Sequence, residues 1–456
     1  MVTTRVHAPE PGLFSREYLW ITIGSCALVF LGAFESLAVT TIMPVVSADL
    51  DGAGLYALAF AGPLATAVIG MVVAGNWCDR IGPITPLYTS AVAFVLGLLV
   101  AGTATLMPVL VAGRLLQGLG AGAINVALYV VVARVYPARL HPQIFAGFAA
   151  AWVIPSLIGP FAAGVVTELF SWHWVFLGVI ALVVVAAGMV WPALRDLRGG
   201  DPDGEVAPWS LGRIGWSIIA AVAVLGLGLL AEAEELGWAL AVVGVVIVLI
   251  AVRPLLPTGA LRARRGLPTV ILLRGLVGAA FLGAEVYLPY LLVENYAFSP
   301  SLAGLALTLG ALSWAGASWL QGRLTTQLTH QMSAVIGASL VLVAIVLAGL
   351  TALLALPPSV AIIGWGIGGG GMGLMYPRLS VMTLALSTKA NQGFNSAALS
   401  ISDSLGAALA LAITGIVFSA LAATGQSFAG VFALAAILAA AAIVVAPRVK
   451  DRVRDT

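Results

Sequence analysis

The chain has 456 residues, of which 61% are hydrophobic and only 9% charged, and its mean hydropathy is +1.08. A soluble globular domain carries about 25% charged residues, so this composition excludes a soluble protein, and equally a disordered or fibrous one. The formal net charge of +2 leaves no basic footprint for nucleic acid. Cys26 and Cys78 make no disulfide framework, and His7, His141, His173 and His330 lack ligand spacing, so neither a metal nor a cofactor is expected.

A membrane-spanning helix needs about 20 mostly apolar residues. Fourteen such stretches follow one another, at 18–46, 55–77, 86–107, 108–133, 142–168, 172–194, 212–231, 237–255, 268–293, 300–320, 331–352, 358–380, 391–421 and 426–446. The runs are unbroken rather than alternating with period two, which excludes a β-barrel. The first run is too long for a signal peptide and no small-residue cleavage pattern follows it, so no cleavable leader is expected. With the N-terminus inside, every Lys and Arg except Arg114 and Arg274 falls in an inner connection or, for Arg213, Arg253 and Arg378, near the inner end of a stretch, and none in an outer connection. Both termini are therefore expected in the cytoplasm, in a multi-pass protein of a bacterial plasma membrane.

In chain order, residues 1–194 are expected to form a first six-helix bundle. A polar cytoplasmic linker, 195–211, follows. An inserted transmembrane hairpin at 212–255 turns outside through Glu232, Glu234 and Glu235. Apart from Arg213 and Arg253 at its inner ends it carries no charge in either apolar stretch, so a peripheral packing role is expected for it. An interfacial helix pair is the alternative. A basic linker, 256–267, leads to a second six-helix bundle, 268–456. The fold class is thus all-α integral membrane, with fourteen transmembrane helices. Internal repetition supports duplicated halves. Phe30-Leu31-Gly32-Ala33 precedes Glu35, and Phe281-Leu282-Gly283-Ala284 precedes Glu285. The stretch from Gly75 to Arg80 has a faded counterpart from Gly322 to Gln327.

Away from the ends of the stretches stand five ionisable residues: Glu35, Arg114, Arg274, Glu285 and Asp403. Each costs about 2.5–3.5 kcal/mol near the bilayer centre, so such groups line cavities or pair with each other. By helical rise, Glu35 and Asp403 lie roughly 16–18 Å from a span end, close to midplane. Arg114 and Glu285 lie about 9–12 Å deep by the same rise. Arg274 is nearer the inner end, where snorkelling is open to it, and it shares a helix face with Glu285 eleven residues on. Two cations against three acids leave one carboxyl without a full partner. A proton relay and a substrate counter-charge are expected of Glu35, Arg114, Glu285 and Asp403; helix-locking ion pairs are the alternative. The glycine-rich run from Gly364 to Gly373 lacks the strand and the Lys-Ser/Thr of a phosphate loop and reads as close helix packing.

Four stretches together resemble the major facilitator superfamily of transporters. Gly75-Asn76-Trp77-Cys78-Asp79-Arg80-Ile81-Gly82 is similar to its cytoplasmic G-x-L-x-D-R-x-G-R-R/K loop, with Pro83 and Ile84 in place of the basic pair. Arg114 through Ala121 resembles R-x-x-Q-G-x-G-A. Pro155 through Gly164, with Gly159 and Pro160, resembles the antiporter motif G-x-x-x-G-P-x-x-G-G, departing from it at Pro155 and Ala163. Trp172 through Phe176 is similar to W-R-W-x-F, with His173 for Arg. Glu35 through Pro44 looks like the D-x-T-I-V-N-V-A-L-P motif of the fourteen-span drug–proton antiporters, with Glu for Asp and Thr40 for Asn.

The resemblance implies alternating access driven by protons. It implies a cytoplasmic gate built from Gly75, Asp79, Arg80 and Gly82, and a fifth span bent at Pro160. The expected function is a proton-coupled antiporter exporting lipophilic or cationic small molecules. Export of one specific endogenous metabolite or lipid is the alternative. The expected partners are the bilayer, a small-molecule substrate and protons, and the expected state is a monomer. The short loops hold no clustered His, Asp or Cys, so an enzyme is not expected.

Overall fold

The computed structural model describes residues 11–52, 55–195, 208–230, 237–298, 300–323 and 328–449. Among these residues every regular element is a helix. The first six are α1 (Leu19–Asp49), α2 (Tyr56–Ile81), α3 (Ile84–Gly102), α4 (Met107–Val135), α5 (His141–Leu169) and α6 (His173–Arg195). A pair follows, α7 (Leu211–Leu230) and α8 (Gly237–Val252). Next come α9 (Leu267–Glu285) and α10 (Tyr287–Tyr296), which form one span interrupted at Val286. The chain continues through α11 (Pro300–Arg323), α12 (His330–Leu354), α13 (Pro358–Ala385), α14 (Gln392–Ala420) and α15 (Ser427–Val445).

These residues form helices because an apolar solvent leaves the backbone no partner but itself. Several helices begin with proline in the first turn, where its missing N–H and fixed φ cost nothing: α4, α5, α9 and α13. Thr329 caps α12, its hydroxyl accepting from the Met332 N–H at 3.1 Å. Large apolar side chains such as Phe161, Val184, Ile437 and Val444 lie exposed on the outside, the surface a lipid-facing protein presents.

The helical rods lie where the fourteen apolar stretches were read, but length and apolarity do not make all of them spans. Ten described helices are long and apolar enough to cross a membrane, and α5 makes eleven if its two bent parts count as one. The described apolar parts of α7 and α8 are shorter, Leu211–Leu227 and Val242–Leu255. α13 is 28 residues long, but its glycine run dilutes its hydropathy. The outer turn of the hairpin, with Glu232, Glu234 and Glu235, lies outside the described residues, as does most of the linker after Arg195.

One packing pattern occurs twice. In the first half α2 and α3 each pack on α4, while α1 packs on α5 and α6, and α3 on α6. In the second half α11 and α12 each pack on α13, while α9 packs on α14 and α15, and α12 on α15. The halves meet through α2 with α14 and through α5 with α11, again an equivalent pair of contacts. α7 lies against α2 and α8, and also touches α14. The glycine run of α13 allows close packing as expected: a Cβ on Gly369 or Gly371 would strike the backbone of Gly310 or Gly337. Gly370 is the exception, with nothing within 4 Å.

Candidate functional site

Glu35 on α1 and Arg114 on α4 form a buried ion pair through Oε1 and Nη1. The same Nη1 donates to Gln117 Oε1 at 2.8 Å, and Nε donates to the Ala59 carbonyl at 3.2 Å. Glu35, Arg114 and Gln117 are 6%, 5% and 1% exposed. A charge this deep is tolerable only when paired and hydrogen-bonded. The guanidinium fork meets that demand by reaching three acceptors on α1, α2 and α4.

Arg274 on α9 does not snorkel, and sharing a face with Glu285 does not pair them. Its Nε donates to Asp403 Oδ2 on α14 at 3.1 Å, and Nη1 donates to the Tyr376 carbonyl at 3.2 Å. The guanidinium lies 3.6 Å from the centroid of the Tyr376 ring, and the Tyr376 hydroxyl donates to Asp403 Oδ1 at 2.7 Å. Asp403 is thus held by a cation and a phenol at once. The physical reason is close helix approach. Gly275 faces the backbone of Ser402, and a Cβ on Gly278 would sit 2.8 Å from the Tyr376 hydroxyl. Sequence reasoning missed Tyr376, which stands in an apolar run with nothing to mark it. The available signal was the pair of glycines flanking the face of Arg274.

Glu285, at the C-terminal end of α9, makes no ion pair among the described residues and is partly exposed. The group facing it is the indole of Trp365 on α13. Trp365 is fully buried, and its Nε1 has no hydrogen-bond partner of ordinary geometry.

The loop motif sits where the halves join. Asp79, in the last turn of α2, accepts from the Gly393 N–H at 2.6 Å and from the Phe394 N–H at 2.8 Å. These are free donors in the first turn of α14, so a carboxylate of one half caps a helix of the other. Gly75 permits the approach: its Cβ would lie 2.6 Å from the Gly393 carbonyl oxygen. Gly82 turns the chain at φ 85°, a conformation glycine adopts freely, and Arg134 packs beside it. Arg134 Nη2 reaches the carbonyls of Cys78 and Lys389, both at 3.4 Å.

The helix pair α7–α8, expected to be peripheral, reaches this junction with its first turn. The Ser210 N–H donates to Asn76 Oδ1 at 3.3 Å, and Trp77 and Trp209 lie 6.4 Å apart. The Arg80 guanidinium lies 5.2 Å from the Trp209 ring centroid, and that of Arg213 lies 3.9 Å from Phe394. Residues 209–213 therefore touch both halves. The second cross-half contact is simpler: Gly322 of α11 faces Pro142 and Ala146 of α5 within 3.9 Å. Residues 324–327, the tail of the faded repeat, lie outside the described residues.

The antiporter-like stretch lies on α5. Pro155 and Gly159 are buried, and a Cβ on Gly159 would touch Phe34 of α1 at 3.6 Å. α5 bends by 47° between Ala138–Ser156 and Phe161–Leu169, the segments on either side of Pro160, as a missing backbone donor allows. Gly164 has no heavy atom within 4 Å of its would-be Cβ, so no close approach explains it.

Two pseudo-repeated halves of apolar helices, fastened at one end and carrying charges between the helices, define a multi-pass membrane transporter. The sequence profile described as Major Facilitator Superfamily matches residues 25–357, and the chain belongs to that family. It is 25% identical over 438 residues to the Multidrug transporter protein MdtP of Bacillus subtilis (strain 168), covering 90% of this chain and 77% of that protein. An uncharacterised transporter of Schizosaccharomyces pombe (strain 972 / ATCC 24843) is 32% identical over 163 residues, 36% of this chain and only 27% of its own length. The fold is similar to that of a bacterial homologue of the iron transporter ferroportin in the outward-facing state. The TM-score is 0.70 at 14% identity, covering 94% of this chain and 98% of that one.

Proposed function

We propose that the chain is a proton-coupled antiporter that exports lipophilic or cationic small molecules by alternating access. In this reading residues 1–194 and 268–456 are the two six-helix bundles, α7 and α8 add a transmembrane hairpin to make fourteen spans, and the Arg-bearing end with both termini faces the cytoplasm. The carrying observation is the set of carboxylates between apolar helices. Glu35 is tied to Arg114, Asp403 to Arg274, and Glu285 makes no ion pair among the described residues. A carboxylate in such a place gains or loses a proton as its partner comes and goes. Arg114 keeps its charge throughout, so its role is to hold Glu35 ionised until a proton competes. Similarity to a protein named a multidrug transporter supports the substrate class. The Asp79 cap supports a gate that alternates, since it joins the halves by contacts that can open as a unit.

The test is flux in reconstituted vesicles with an imposed pH gradient. Substrate movement that follows the gradient and is abolished by an uncoupler is the expected result. Flux indifferent to the gradient would overturn the proton coupling, and no flux of any lipophilic or cationic compound would overturn the export reading.

A further inference from the structure

The tight seats that hold α4 on α2 and α13 on α11 follow one register. In α4, Gly118 and Gly122 come four and eight residues after Arg114; in α13, Gly369 and Gly373 come four and eight after Trp365. A Cβ on Gly118 or Gly122 would strike the backbone of Pro63 or Ala67 in α2, and one on Gly369 or Gly373 that of Gly310 or Trp314 in α11. Close approach through small residues fixes how one helix sits on another, so residues at equal distance from these glycines hold equivalent places. Eleven residues after Arg114 stands Asn125, and eleven after Trp365 stands Tyr376. Both reach α14. Asn125 Nδ2 donates to Ser400 Oγ at 3.2 Å, and the Tyr376 hydroxyl donates to Asp403 Oδ1, three residues further along, at 2.7 Å. The first contact joins neutral groups of opposite halves. The second is made to a charge, within one half.

Both carboxylate oxygens of Asp403 carry a donor. The phenol takes Oδ1, and Arg274 Nε takes Oδ2 at 3.1 Å. An ionised carboxylate only accepts, so it suits two donors; a protonated one brings a hydrogen of its own to one oxygen and must turn a donor away. The two donors are not equally free to leave. Arg274 is held by two further acceptors, the Tyr376 carbonyl at 3.2 Å and Ser380 Oγ at 3.4 Å, and its guanidinium lies 3.6 Å from the Tyr376 ring centroid. The Tyr376 ring is fixed as well, since Trp314 meets it edge-on at 5.2 Å, but its hydroxyl hydrogen can rotate away. Solvent reaches the acid more than the base: the Asp403 side chain is 23% exposed and that of Arg274 11%. Of the helices packed on α14, α9 brings Arg274, α13 brings Tyr376, and α4 brings Tyr129, which acts electrostatically on both. Asp79 of α2 and Arg213 of α7 meet α14 at its first turn, Glu285 lies at the far end of α9, and α8 and α15 contain no ionisable residue.

We infer that Tyr376 is the positioning residue of Asp403: its hydroxyl keeps the carboxylate ionised on Arg274 and is the donor that an incoming proton displaces. The pH at which the second half takes up a proton is then set by this phenol as well as by the ion pair. This rests on the proton-coupling reading above. The test titrates purified protein in detergent by infrared difference spectroscopy, following the carboxylic-acid C=O band that Asp403→Asn removes, with flux in vesicles measured over the same pH range. Tyr376→Phe keeps the ring under the guanidinium and removes only the hydroxyl. Loss of one hydrogen bond to a charged group should raise the pH at which the band appears by about 1–2 units, and displace the flux–pH profile the same way. Replacement of Tyr376 by 3-fluorotyrosine, a more acidic phenol and a stronger donor, should move the band to lower pH. Tyr296→Phe, which loses a phenol that donates to the Thr351 and Leu356 carbonyls, should move neither. An unmoved band in folded Tyr376→Phe overturns the inference, as does an equal shift in Tyr296→Phe. If Tyr376→Phe does not fold, the 3-fluorotyrosine protein decides, and an unmoved band there overturns it. A band absent from both parent and Tyr376→Phe down to the pH of unfolding overturns it as well. Flux indifferent to pH in the parent overturns the proton-coupling reading, while the band still decides the role of Tyr376.

Discussion

Asp79→Asn isolates the energy of the proposed gate. The Asp79 carboxylate accepts two backbone N–H groups of α14, at 2.6 and 2.8 Å. Asparagine keeps the size of the side chain but has one acceptor oxygen, and turns an amide donor toward the second N–H. At least one charge-assisted bond is therefore lost, and such a bond contributes about 1.5–3 kcal/mol. Because only the joined arrangement makes these bonds, the loss appears in the ratio of joined to separated ends. It lowers that ratio about 10- to 100-fold, since each 1.4 kcal/mol is a factor of ten. Spin labels at Ile81→Cys on α2 and Thr388→Cys just before α14, in a background with Cys26 and Cys78 replaced by Ser, report the separation by double electron–electron resonance. The parent should give one short distance, and Asp79→Asn a second, longer population. Transport should slow while substrate affinity is retained. An unchanged distance distribution, or a loss of affinity with a normal exchange rate, would refute the reasoning that Asp79 acts by fastening the two halves.

Arg213→Ala removes the guanidinium stacked on Phe394 and should shift the same distance distribution in the same direction by less, since a cation–π contact is worth about 0.5–2 kcal/mol; no shift would return α7 to a purely peripheral role. Deletion of 212–255 should keep part of the transport but loosen the junction similarly. Gly369→Ala should lower the melting temperature in detergent markedly because its Cβ would lie 2.8 Å from Gly310 Cα, whereas Gly370→Ala, with nothing within 4 Å, should match or exceed the parent by up to about 1 kcal/mol of helix propensity. Equal melting temperatures for the two would remove the close-packing account. Glu35→Gln should fold and lose pH-driven flux, while Arg114→Ala should cost about 3–5 kcal/mol of stability by stranding a buried carboxylate; proton-driven efflux undiminished in Glu35→Gln would remove Glu35 from the coupling.

The fold was legible because its dominant signal is one-dimensional. An apolar run long enough to span is a helix, since the bilayer leaves no alternative for its backbone. The charged residues stood out for the same reason, as each one is costly where it lies. Partners were less legible. Arg274 and Glu285 are three turns apart on one helix, which places them on one face but says nothing of what the neighbouring helix brings. Gly275 and Gly278 decide that by admitting α14, and Asp403 arrives with it. The junction of the halves was legible only by half. Asp79 lies in a recognisable motif, but its donors are backbone N–H groups of Gly393 and Phe394, which no side-chain pattern announces. Trp209 in the linker and Arg213 at the start of the hairpin gave no sign of these contacts, because what such a segment touches depends on where its ends are held.

Duplication gives the two halves equal scaffolds, and equal scaffolds make a difference in one side chain interpretable. The glycines after Arg114 and after Trp365 hold α4 on α2 and α13 on α11 in the same way. A change from guanidinium to indole at that place then alters the chemistry without moving the helices. In the first half Glu35 is paired with the guanidinium of Arg114, and it is this pair that a proton would break in the proposed coupling. In the second half Arg274 is engaged by Asp403, and among the described residues Glu285 makes no ion pair. The asymmetry at residues 114 and 365 thus sets a carboxylate paired by a guanidinium in the first half against one that makes no ion pair among the described residues in the second.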